Sequence, residues 1–138
     1  MTTLDMSPAW AAATQAAEME AINAASTFAT ALRGTPEYHQ LLATNDAMGA
    51  DTAARRAIDA YSEKQDEYRV EATMGLLSEE QADELGQLLR AMHAVPSVAA
   101  YVEASGVFAE MCRETAAVVS GLIGIDFAAN SRSGGCCG

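Results

Sequence analysis

Lysine is almost missing from this 138-residue chain: Lys64 is the only one, and 8 basic residues face 19 acids for a formal net charge of -11. A surplus of that sign opposes contact with phosphate backbones and anionic lipid, so neither nucleic acid nor membrane is an expected direct ligand. Aromatic side chains are also scarce, at 6%, which leaves few bulky groups to fill an interior. No apolar stretch reaches the roughly 18 residues that cross a bilayer. The N-terminus lacks the basic start and apolar run of a signal peptide, so the expected location is the cytoplasm. There are only two histidines, His39 and His93, and neither has a second His or Cys one helical turn away, as a helical metal site requires. HExxH and ExxH patterns, a glycine-rich phosphate loop, a nucleophile elbow and a Cys-His signature are missing as well. The expectation is a protein that is not an enzyme, with no catalytic residues and no certain cofactor.

What is present points to helix. Half the residues are hydrophobic, and many are alanine, which favours helix but adds little burial per position. A chain of this length fits one domain with a thin core, and such a helical protein completes its burial against a second copy or a partner. An oligomer is therefore expected. The acidic, lysine-poor composition resembles proteins of salt-loaded, halophilic cytoplasms, where concentrated ions screen self-repulsion. A GC-rich genome favouring Ala and Arg codons accounts for it equally well.

Along the chain, Ser7-Pro8 opens a helix expected to reach Arg33 and stop at Gly34, with Ile22, Ala25, Ala29 and Leu32 at steps of three and four. Thr35-Pro36-Glu37 starts a second helix, with Tyr38, Leu41, Leu42 and Met48 as its stripe. Gly49-Ala50-Asp51 predicts a break. The pattern resumes from Thr52 through Ile58, Tyr61, Gln65 and Tyr68 to about Thr73, with Gly75 as the stop. Ser78-Glu79-Glu80-Gln81 spells a capping box opening a helix with Ala82, Leu85, Leu88, Leu89 and Met92 on one side. That helix should end before Val95-Pro96. Val98, Tyr101, Val102, Phe108, Met111, Val118, Val119, Leu122 and Ile125 then hold near-heptad spacing in a long interface helix. The reading is all-α: about five helices in an antiparallel bundle, a helical domain over residues 1–128, and a flexible Cys-containing tail over residues 129–138.

Tyr61, Gln65 and Tyr68 stand one turn apart and are candidate contact residues, together with Tyr101 and Phe108 on the last helix; a buried core would show the same stripe. Glu79, Glu80, Asp83 and Glu84 cluster where acids stabilise a helix dipole, which explains them better than paired-carboxylate catalysis does. Cys112, among Phe108 and Met111, reads as a small core residue. Cys136 and Cys137 are candidate metal ligands, since thiols bind soft metals, but two adjacent thiols cannot complete a site that needs four. An oligomer or a partner would have to supply the rest.

The order of landmarks resembles the YlbF/YmcA family, known for control of competence in bacteria. Those landmarks are Pro36-Glu37-Tyr38, Asp51 before an alanine-rich segment leading to Ile58, Tyr61 and Gln65, then Gly75, Ser78 with Leu85 and Leu88, and Pro96-Ser97-Val98 with Tyr101 and Glu103. The resemblance spans roughly Ala17 to Phe127. It implies a self-associating helical fold without enzymatic activity, acting as a regulatory subunit. Members of the family join one another and a third protein, influence an endoribonuclease that matures messenger RNA, and affect competence, sporulation and biofilm formation. Some of their complexes bind iron-sulfur clusters through cysteines, including ones near a C-terminus, which Cys136 and Cys137 resemble. Here those cysteines are adjacent, and the chain is acidic and lysine-poor, two departures from the family's pattern.

Overall fold

Breaks between helices, more than the helices themselves, organise this chain. The computed structural model describes residues 8–132; Ser7, Cys136 and Cys137 lie outside them. The described residues form seven α-helices and no strand: α1 Pro8–Arg33, α2 Pro36–Ala50, α3 Thr52–Glu67, α4 Arg69–Thr73, α5 Glu79–His93, α6 Pro96–Ile123 and α7 Phe127–Arg132. They divide into two compact units at His39.

In the first unit, α1 has 26 residues. Its alanine content and length both favour helix. It stops as expected at Gly34, whose N–H reaches the Thr30 and Ala31 carbonyls at 3.2 and 3.1 Å. Thr35 then works in both directions. Its hydroxyl donates to the Leu32 carbonyl at 2.7 Å and accepts from the Tyr38 N–H at 3.3 Å. Every residue from 9 to 31 is exposed.

In the second unit, α2 ends at Ala50 and Asp51 caps α3, its carboxylate accepting from the Ala53 N–H at 2.9 Å. The predicted break at Gly49-Ala50-Asp51 is found. The single helix expected from Thr52 to Thr73 is instead two, because Tyr68 leaves helical geometry (φ -98°, ψ 10°) where its side chain is tied across to α5. A Schellman motif closes α4: Gly75 takes a left-handed φ of 69°, its N–H meets the Ala72 carbonyl at 3.2 Å, and the Leu76 N–H meets Glu71 at 2.8 Å. The capping box is present in full, with Gln81 N–H to Ser78 Oγ at 3.1 Å and Ser78 N–H to Gln81 Oε1 at 3.0 Å. Ala82, expected in the apolar stripe of α5, is exposed, whereas Leu85, Leu88, Leu89 and Met92 are half-buried.

The C-terminal end departs from expectation. α6 stops at Ile123, short of Ile125, because Gly124 adopts φ 73° and its N–H closes on the Ser120 carbonyl at 2.9 Å. Asp126 then accepts from the Ala129 N–H at 3.0 Å, and Ser120 Oγ accepts from the Phe127 N–H at 3.0 Å. A cap at Asp126 thus starts α7 across the point where the flexible tail was expected to begin.

Within this unit α3 packs on α5, α5 on α6, and α7 on α6. Among the described residues the buried ones are Ala54, Val98, Ala104 and Thr44, and no large side chain is fully buried. The helices meet through small groups, as the alanine content and scarcity of aromatics dictate. Thr44 satisfies its buried hydroxyl on the Gln40 and Leu41 carbonyls, at 2.8 and 3.0 Å.

Candidate interaction site

The seam between α3 and α5 carries the densest side-chain chemistry among the described residues. Lys64 and Tyr68 lie one turn apart at the end of α3, so both reach the same neighbour. That neighbour is Glu84, in the second turn of α5. The Tyr68 hydroxyl donates to Glu84 Oε2 at 2.6 Å. Lys64 Nζ lies 3.4 Å from Glu84 Oε1, 2.9 Å from Glu67 Oε2 and 5.4 Å from the Tyr68 ring centre. The hydrogen bond from Tyr68, aided by the Lys64 charge, holds the Glu84 carboxyl below the usual range. The same bond pushes the Tyr68 phenol up, and the Glu67 hydrogen bond raises the Lys64 ammonium above its ordinary value. At neutral pH Glu84 is therefore ionised, the lysine charged and the phenol neutral. Such a network fixes two helices together but holds no group poised near neutrality for proton transfer.

A second polar tie joins α3 to α6. Ser97, in the first turn of α6 behind Pro96, donates to Asp51 Oδ2 at 2.6 Å, while Oδ1 caps α3. The Ser97 hydrogen bond, with those from the Ala53 and Ala54 backbone, lowers the Asp51 pKa. One carboxylate thereby sets the start of one helix and anchors the start of another.

Apolar side chains are exposed further along α6. On α6, Val102, Val107, Val118 and Ile123 are about half exposed or more, and Leu122 is 82% exposed. Ile125 and Phe127 are exposed just beyond. Beside them a groove of about 600 Å³ is lined chiefly by small residues, among them Ala116, Ala117, Gly121 and Ala128, between Arg113 and Asp126. Glu79, Glu80, Asp83 and Glu84 line an acidic recess of about 610 Å³ with Gln87.

The structure separates the expected contact residues. Tyr61 is half-buried and Gln65 exposed, while Tyr68 is half-buried and engaged with Glu84 inside the chain. Tyr101 and Phe108 are half-buried on α6. Cys112 is a free, half-buried thiol. His39 and His93 are exposed on different helices. Cys136 and Cys137 lie outside the described residues, among which no group of three or more His, Cys, Asp or Glu side chains is placed to hold a metal ion. Glu84 was grouped by sequence with the acids of a helix start, and its role as the hub of the seam was not visible there. The one available signal was Lys64, a lone lysine four residues before a tyrosine.

Fold and surface together define a small all-helical protein with polar ties between helices and apolar faces turned outward. A family model described as control of competence regulator ComK, YlbF/YmcA, matches residues 21–123. The chain belongs to this YlbF/YmcA family of regulators. Comparison with curated proteins and with solved structures gave no significant match. Asp51 and Ser97, two of the landmarks of the resemblance, are the two ends of one hydrogen bond. Among the described residues no helix is long and apolar enough to cross a membrane.

Proposed function

We propose that this chain is a non-catalytic regulatory adaptor that works in the cytoplasm by docking against proteins, another copy of itself included. One observation carries the reading: its large apolar side chains face outward, Leu122 at 82% exposure and Trp10 at 55%, while the buried positions hold Ala, Val and Thr. Exposed apolar side chains that follow closely in sequence, as Leu122, Ile123, Ile125 and Phe127 do, are the kind of surface that partners cover. The family's regulatory role agrees with this, and an effect on RNA processing or development would pass through such partners rather than through direct contact with nucleic acid. Affinity capture of the tagged chain from its own host, followed by identification of what co-purifies, tests the reading. Specific partners lost on Leu122→Glu are the expected result. Recovery of the chain alone, with no self-association in solution, would overturn it.

A second role rests on Cys136 and Cys137, adjacent thiols suited to a soft metal or an iron-sulfur cluster shared between chains. Anaerobically purified protein should then show visible absorption that a Cys136→Ser, Cys137→Ser double variant loses. A colourless, metal-free preparation would remove this role and leave the adaptor reading untouched.

A further inference from the structure

The cations of the second unit fall into two groups. Lys64, Arg69 and Arg113 each pair with a carboxylate three residues away. Arg55, Arg56 and Arg90 are exposed, and their guanidinium groups make no ion pair or hydrogen bond among the described residues. Arg90 stands in the last turn of α5, where a cation complements the helix dipole. Arg55 and Arg56 have no such local reason, since they sit in the second turn of α3, toward the end where a helix favours acids. The nearest acids in sequence do not hold them. Asp51 accepts from the Ala53 N–H on Oδ1 and from Ser97 on Oδ2, and Asp59 is exposed without an ion pair. The fold then concentrates the charge. Tyr68 meets Glu84 near one end of the α3–α5 pair and Asp51 meets Ser97 at the other, so the two helices run antiparallel. The start of α3 therefore lies at the same end as Arg90 and His93, and no acid occurs between Glu84 and Glu103. Asp66, Glu67, Glu79, Glu80 and Asp83 gather at the opposite end. An acidic chain thus keeps one end of this helix pair cationic.

We infer that Arg55 and Arg56 are a docking site for an acidic segment of a partner protein. The inference rests on the adaptor reading above and names the surface and the chemistry that it takes. Two adjacent guanidinium groups, about 100° apart around α3, each take a carboxylate through two parallel N–H···O bonds, a match that an ammonium cannot make. The occupant is a short segment rather than a polyanion, because every charge beyond the arginine pair meets a molecule of net charge -11. A nucleic acid brings a charge with each phosphate, and a second copy brings the same acidic surplus. An acidic segment brings only the few charges that it docks. Salt weakens such docking, the opposite of its effect on the approach of two like-charged copies.

The probe is a short oligoglutamate peptide, titrated at low ionic strength into the isotope-labelled full chain and followed by NMR. The expected footprint is the side-chain N–H signals of Arg55 and Arg56 and the backbone of the first turns of α3, with the ion-paired Arg113 side chain unmoved. Arg55→Gln with Arg56→Gln should weaken binding by roughly fivefold or more, and Arg55→Lys with Arg56→Lys should restore only part of it. Circular dichroism should show both double variants as helical as the parent. In affinity capture from the host, the glutamine variant should lose a partner that the parent retains, and a synthetic peptide of that partner's acidic segment should reproduce the oligoglutamate footprint. No oligoglutamate binding, a footprint elsewhere, or binding unchanged in the glutamine variant overturns this inference and leaves the adaptor reading standing. So do partners retained in full by that variant, or a short single-stranded RNA that binds the two arginines more tightly than the peptide does. A chain that captures no partner and does not self-associate removes the adaptor reading, and this inference with it.

Discussion

Ser78, Tyr68, Glu84 and Gly124 show how single residues set the limits of helices here. Ser78→Ala removes one half of a complete capping box and should cost about 1 kcal/mol in urea unfolding, within the range for lost N-caps; no change would mean that α5 is fixed from elsewhere. Gly124 holds φ 73° with open space around an added Cβ, so Gly124→Ala pays only for backbone strain. A loss of about 1 kcal/mol is expected. The Tyr68–Glu84 bond makes a pH prediction. Glu84 and Asp51 have lowered pKa values, so their contribution is complete above the ordinary carboxylate range near 4 and is lost as pH falls through the lowered values. Tyr68 and Lys64 have raised values, so theirs is complete below about pH 10 and lost as pH rises beyond it. Thermal unfolding should therefore be flat from about pH 5 to 9 and fall on both sides. Tyr68→Phe should lower the melting temperature by a few degrees within the plateau and weaken the acid limb. An acid limb identical to the parent's would show that the bond does not form in solution.

At the scale of the element, α3 and α6 are joined through Asp51. Asp51→Ala removes a helix cap and a cross-helix tie together, so amide exchange should speed up in the first turns of both α3 and α6. Ser97→Ala removes only the tie and should leave the Ala53 amide protected. Equal acceleration of both helix starts in the two variants would contradict this division of labour. Several helix ends were legible from a local signal, since Gly34, Asp51, Gly75, the Ser78 box and Pro96 each act through their own backbone and near neighbours, whereas the equally local stop at Gly124 was masked by apolar spacing that runs on to Ile125. The break at Tyr68 was not legible, because it accompanies a contact with Glu84, sixteen residues on. α7 was readable in principle from Asp126, whose side chain caps Ala129, but the glycine and serine run after it drew the segment into the expected tail. The seam hub was hidden for the same reason as Tyr68: Glu84 does in sequence what any acid near a helix start does, and only the packing of α3 on α5 gives it Lys64 and Tyr68.

For the whole molecule, scarcity of large buried side chains is the governing fact. Small residues at the helix contacts make close approach easy but leave little apolar area removed from water, so burial inside one copy stabilises weakly. Stability and assembly should therefore be coupled, with the unfolding temperature rising as protein concentration rises. The directest measurement is sedimentation equilibrium of the purified chain over a wide range of concentration at low and high salt. The account predicts species at whole multiples of 14.4 kDa, more populated at higher concentration and in salt. A single 14.4 kDa species under all conditions, cooperatively folded and equally stable when dilute, would contradict it.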